Sequence, residues 1–222
     1  MSHVDHYIVR KGEMPPPVDE TRLHDYALAS DGLYVRGRRP GLEVCFPVAR
    51  ARVRGLGRLI PYVVSGFPRM PARFLARSLD IGRARCDDRP TEALFHFSFD
   101  ERGEFVHSRH GSKVLDFSEG WHFEYPEQFA TGDSVRPVHN GPGSSVARAV
   151  VELHTHPYDA AVFSPTDDKD EGGFSFRLCA VMGRIFDRPQ IRLRVALFGH
   201  FHDCPVSEFF ELPAGLADCV KS

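Results

Sequence analysis

The sequence predicts an α/β protein: a mixed sheet flanked by helices, with a small β-rich region on its N-terminal side. Three observations lead there. Apolar residues recur at helical spacing over Pro71 to Arg85, and strand-like alternation follows over Leu94 to Phe99. A buried strand, Ala149 to His154, then runs into a helix start at Ser164-Pro165. Helix, strands, strand, helix and further strands is the pattern of a sheet layered with helices.

Residues 1–22 are polar and contain Pro15-Pro16-Pro17, which reads as a flexible arm. Residues 23–68 hold short apolar runs, Tyr26-Ala27-Leu28 and Leu59-Ile60-Pro61-Tyr62-Val63-Val64, broken by Gly and Pro as in a small β unit. A larger domain is expected over 69–213, with a tail at 214–222. Its first helix carries Phe74, Leu75 and Leu79 on one face, and Pro71 suits the first turn. Phe95, Phe97 and Phe99 alternate with Leu94, His96 and Ser98. Asp100-Glu101-Arg102-Gly103 reads as a hairpin turn into Glu104-Phe105-Val106. Residues 110–148 read as a long connection with Gly141-Pro142-Gly143-Ser144-Ser145, a candidate substrate-gripping loop. Within it, Trp121, Phe123 and Tyr125 alternate as in a short core strand. A helix over 164–173, strands Phe174–Met182 and Ile191–Phe198 about a turn at Asp187-Arg188-Pro189, and a last strand Val206–Leu212 complete the reading.

Composition narrows the function. The chain has 222 residues, 42% hydrophobic and 26% charged, an ordinary globular balance. A net charge of −2 supplies no basic field for nucleic acid. No apolar run approaches the ~20 residues that span a membrane, and Met1-Ser2-His3-Val4-Asp5-His6 lacks a signal peptide's features, so a cytoplasmic location is expected. Cys45, Cys86, Cys179, Cys204 and Cys219 are odd in number and form no C-x-x-C, which indicates neither a disulfide frame nor a zinc knuckle. Arg36, Arg38, Arg39, Arg50, Arg52 and Arg54 make the N-terminal region basic, suited to an acidic protein partner or to a solvated strand face.

The chemistry concentrates in one segment: His154-Thr155-His156, then seven residues, then Ser164, two residues, and Asp167. Strand residues i and i+2 share a face about 6.5–7 Å apart, so the two histidines can converge on one ion. Ser164 stands at an N-cap and Pro165 at the first helical position, which puts Asp167 in the first turn. Ser-x-x-Asp is also a capping box, and one turn can serve as both cap and ligand. Two histidines and a carboxylate suit one catalytic Zn2+, leaving the fourth position open for a water whose pKa falls to about 7. A second His-x-His, His200-Phe201-His202-Asp203-Cys204, has nothing following at a matching spacing.

This spacing resembles the signature of the JAMM (MPN-plus) zinc metallopeptidases, His-x-His-x7-Ser-x2-Asp with a separate upstream glutamate, over roughly residues 70–212. The resemblance implies a JAMM/MPN, cytidine-deaminase-like architecture. It implies zinc on His154, His156 and Asp167, with Ser164 holding the tetrahedral intermediate and a glutamate as general acid/base. The family's glutamate opens a strand after a helix, often as Pro-x-Glu, and Pro90-Thr91-Glu92 fits. Glu152, on the histidines' own strand, is the alternative. Asp31 to Val44 more narrowly resembles the bacterial PRTRC system protein A group, JAMM-type enzymes set beside activating-enzyme-like and conjugating-enzyme-like partners. The expected function is hydrolysis of an amide or isopeptide bond on a ubiquitin-like protein or its conjugate. A non-catalytic MPN scaffold and a small-molecule amidase or deaminase are the alternatives.

Overall fold

The computed structural model describes residues 4–85, 89–101, 111–173 and 176–220. The turn expected at 100–103 and the strand after it fall largely outside these residues, as does Cys86. The class is mixed α/β, mostly sheet with few helices. The chain divides into two compact units, Met1–Phe67 with Gly172–Phe176 and Ala196–His202, and the remaining residues from Pro68 onward.

The first unit holds a five-stranded sheet of β1 (Val4–Ile8), β2 (His24–Ala29), β3 (Gly32–Arg39), β4 (Leu42–Arg50) and β5 (Tyr62–Ser65), in that order. β1 runs parallel to β2 and the other pairs are antiparallel. Gly41 closes the β3–β4 turn at φ +76°, a conformation that favours glycine. Val9, Ala27, Ala29, Tyr34, Cys45 and Leu59 form its core. The arm expected over 1–22 thus carries a strand: five residues of β1 pair in register with β2, which satisfies the backbone groups that face β2.

The second unit is built from α1 (Ala72–Ala84), β6 (Leu94–Phe99), β7 (Ser112–Ser118), β8 (Trp121–Pro126), β9 (Gln128–Ala130), β10 (Val135–Pro137), α2 (Ser145–Arg148), β11 (Val151–His156), α3 (Pro165–Glu171), β12 (Phe176–Gly183), β13 (Gln190–Leu197), β14 (His200–Cys204) and β15 (Ala217–Asp218). Ends of β12, β13 and β14 group with the first unit. The main sheet runs β14-β13-β12-β11-β6-β8-β7, with β15 beside β13. It is mixed, since β11 is parallel to β12 and antiparallel to β6.

Period-two alternation gives this sheet two unlike faces. Phe95 and Phe97 of β6 lie with Phe123 of β8 and meet Phe74 of α1, ring centroids 4.9–6.2 Å apart. Each such buried ring contributes about 1.5–3 kcal/mol. α1 presents Phe74, Leu75, Ser78, Leu79 and Gly82 to that core, the expected helical stripe. The opposite face is polar although buried. Glu124 accepts from Arg148 (2.8 Å), Ser112 (3.0 Å) and Ser98 (3.2 Å), and His96 Nδ1 lies 2.8 Å from Ser145 Oγ.

Three expectations need correction. The long connection over 110–148 instead contains β7 to β10 and α2, because the two-residue turn Glu119-Gly120, both at positive φ, folds β7 and β8 into a hairpin and the turn at 131–134 pairs β9 with β10. The last strand expected at 206–212 is a 3-10 turn, Val206–Glu208, after which Phe210 bridges to Met70. The Phe209 and Phe210 N–H groups close this turn on Val206 O, and Val206 N–H donates to Asp218 Oδ2 (2.9 Å). The tail contributes β15. Among the described residues no helix is long and apolar enough to cross a membrane.

Candidate metal centre

Strand register assembles the site. In the β6–β11 ladder His154 faces Leu94. Thr155 N–H donates to Ala93 O (3.0 Å), and Ala93 N–H donates to Thr155 Oγ1 (2.9 Å), which carries the pairing one step past β6. Glu92 therefore comes opposite His156, on the polar face, with Oε1 3.6 Å from His156 Nε2.

The His154 and His156 Nε2 atoms are 3.1 Å apart, and Asp167 Oδ1 is 3.4 Å from His154 Nε2. One donor atom from each of the three lies within 4.8 Å of the others, the one such group among the described residues. Ligands at about 2.0–2.1 Å in a tetrahedron stand about 3.3–3.4 Å apart, so this donor set fits zinc. His156 Nδ1 lies 3.2 Å from Ala160 O, which fixes that nitrogen as the N–H and leaves Nε2 as the donor. Burial is the main cause holding His154 well below the usual imidazole range, so it is neutral at pH 7, the form that ligates.

The capping box is realised as well. Ser164 N–H donates to Asp167 Oδ2 (2.6 Å), and Asp167 N–H donates to Ser164 Oγ (3.2 Å). One carboxylate oxygen serves the helix cap while the other faces the histidines. Ser164 is half-buried and joins the site through Asp167, with its own hydroxyl hydrogen left to donate.

The two glutamates have unlike surroundings. Glu92 is 4% exposed, and burial, then Asp167, Asp133 and Asp159, push its pKa up to about 8. A cation at the histidines would act in the opposite direction. Glu152 lies 2.8 Å from Arg177 Nη1 and 3.3 Å from His96 Nε2. Burial works to raise its pKa, but His96 and Arg177 outweigh it and hold it at about 2. Glu152 is thus committed to two partners, whereas Glu92 faces the ligands. Between them lies a cleft of about 30 Å³, edged by Ser134 and Thr166, with room for about two waters.

The remaining candidates lie elsewhere. His200 Nε2 is 2.8 Å from Tyr26 Oη, and the His202 ring stacks on Phe46, so that pair turns to different neighbours. Arg36 is buried against Pro16 O, Arg38 meets Glu20 and Glu43, and Arg39 donates to Phe176 O; Arg50, Arg52 and Arg54 are exposed.

Gly183, paired with His156 across β11–β12, is a supporting residue that the motif did not reveal. A Cβ there would meet Ala161 N at 2.2 Å and Ala160 C at 2.3 Å, backbone atoms that cannot rotate away. Its sequence signal is a glycine ending an apolar strand, where another backbone approaches closely. Gly183→Ala is expected to cost about 1–3 kcal/mol. It should also weaken zinc binding about 10–100-fold by moving the carbonyl that orients His156. Urea unfolding and a zinc-chelator competition measure the two effects, and wild-type values in both would refute this account.

Compared with known proteins, the sequence matches no family model and no curated protein.

Proposed function

We propose that this chain is a zinc-dependent metallopeptidase or isopeptidase of the JAMM (MPN-plus) kind. The observation that carries the reading is the convergence of His154, His156 and Asp167 at ligand spacing, with Glu92 3.6 Å from His156. Zinc in that group supplies Lewis acidity and makes water nucleophilic at neutral pH. Glu92 takes the proton of the attacking water and hands it to the departing amine. Ser164 donates its hydroxyl hydrogen toward the oxyanion. The cleft's volume of about 30 Å³ is far below the ~300 Å³ or more that encloses a small-molecule ligand. That favours a bond presented on an extended chain over a small amide. The substrate we assign, a ubiquitin-like tail or its conjugate in a bacterial conjugation system, rests on the resemblance of the motif.

The test is zinc loading followed by a substrate panel. One equivalent of zinc is expected to bind. Fusions of a ubiquitin-like carrier through a C-terminal amide or isopeptide bond are expected to be cut, with activity lost on chelation and restored by zinc. A protein that takes up no zinc under any loading condition is a scaffold. Cleavage of small amides alone makes it an amidase.

A further inference from the structure

The geometry points to Arg194 as the positioning residue that places Asp167 at the metal centre, an inference that rests on the metal-site reading above. By itself α3 has nothing apolar to anchor it. Its seven residues, Pro-Thr-Asp-Asp-Lys-Asp-Glu, include no apolar face, and the one buried residue is Glu171. A helix this short does not persist in water, and most helical stability comes from packing an apolar face. The cap made by Ser164 and Asp167 holds the first turn together but does not attach it to the sheet.

Arg194 makes that attachment. It stands in β13 with only 5% of its surface exposed. Nη1 donates to Asp168 Oδ1 (2.5 Å), while Nε (2.7 Å) and Nη2 (2.6 Å) meet Glu171 Oε2. The guanidinium carbon lies 3.8 Å from the centre of the Phe163 ring. These contacts bracket the functional turn: Phe163 precedes Ser164, Asp168 follows Asp167, and Glu171 closes the helix. The Phe163 ring in turn lies 6.3 Å from that of His154. One planar fork thus ties the helix's first turn, its last residue and the segment before its cap to the sheet that carries the histidines. Lysine has the charge but not the fork. Burying an arginine and a glutamate together is costly and weak evidence for stability alone. The guanidinium's contacts on either side of a ligand in the chain, Phe163 before Asp167 and Asp168 with Glu171 after it, give it a role in geometry.

The test uses cobalt(II) as a spectroscopic probe in the full-length protein. Wild type, Arg194→Lys, Asp168→Asn and a His156→Ala control are compared for Co2+ and Zn2+ affinity and for the visible Co2+ spectrum. The melting temperature of each metal-free protein is recorded alongside. Arg194→Lys is expected to lose about 10–100-fold in affinity, with an altered spectrum, because Asp167 no longer holds its position. Asp168→Asn, on a half-exposed residue, is expected to shift both in the same direction by less. A purely structural role would lower the melting temperature and leave affinity and spectrum of the folded protein unchanged, and that result overturns the inference. Should Arg194→Lys not fold, Asp168→Asn decides: wild-type affinity and spectrum there overturn it equally. A wild type that binds neither metal overturns the metal-site reading and this inference together. Binding lost in His156→Ala but intact in both test variants overturns the inference alone.

Discussion

Glu92→Gln is expected to keep zinc bound and to lower turnover by about 10²–10⁴-fold, the contribution of a positioned acid/base group. The carboxylate is not one of the three converging donors, so its replacement leaves the ligand set whole. Its place depends on backbone pairing, Thr155 to Ala93, that a side-chain amide does not disturb. Burial pushes the metal-free carboxyl up to about 8, so a neutral amide of the same shape resembles the form already present at neutral pH. Zinc stoichiometry and the turnover of a carrier fusion are the two measurements. Unchanged turnover with normal zinc content would remove Glu92 from the mechanism. Glu152, tied to Arg177 and His96, would then need its own Gln variant.

His154→Ala is expected to have the converse signature: a folded protein that no longer retains zinc. His154 is 6% exposed and sits between Leu94 of β6 and Val181 of β12. Its Nε2 is the atom from which both other donors are measured, 3.1 Å to His156 and 3.4 Å to Asp167. Removing it takes away a donor, so the affinity loss should exceed the about 10–100-fold that follows from disturbing an outer partner. The surrounding strands keep their backbone pairing, and far-UV circular dichroism is expected to match wild type. Zinc retention at wild-type affinity would mean that the ion is held elsewhere. Together the two variants separate holding the metal from moving the proton.

Much of the site was legible because it is local. His154 and His156 share a strand face by period two, and Ser164 to Asp167 form a helix start by cap chemistry, both properties of neighbouring residues. Glu92 could be singled out from the motif's resemblance, but its distance from His156 depends on a pairing between segments some sixty positions apart. Arg192 and Arg194 alternate within the apolar run Ile191–Phe198, and an arginine that such a strand buries needs a charged partner. Which acids it meets is set by tertiary packing. The same limit applied to Glu152, whose commitment to Arg177 and His96 crosses three strands. The fold departs from expectation where turn chemistry governs: Glu119-Gly120 folds what composition marks as loop into a hairpin, and the Phe209 and Phe210 N–H groups close a turn on Val206 O where a strand is expected.

The alignment of β6 with β11 has an evolutionary corollary. The identity of the residue beside His156 is decided by counting along the chain, not by which side chain prefers the site. Deleting or inserting one residue between Leu94 and Phe97, with Glu92 held beside His156, would turn Phe97 from the α1 side toward the polar face. With Phe97 held in register, it would instead offer Thr91 or Ala93 in place of Glu92. Point substitutions along these strands can drift one at a time, each at its own modest cost. Length changes cannot, since one step sacrifices either the core or the chemistry. Such a scaffold should diversify by exchanging side chains and by lengthening loops away from this ladder, keeping the number of residues between Glu92 and Phe97 constant.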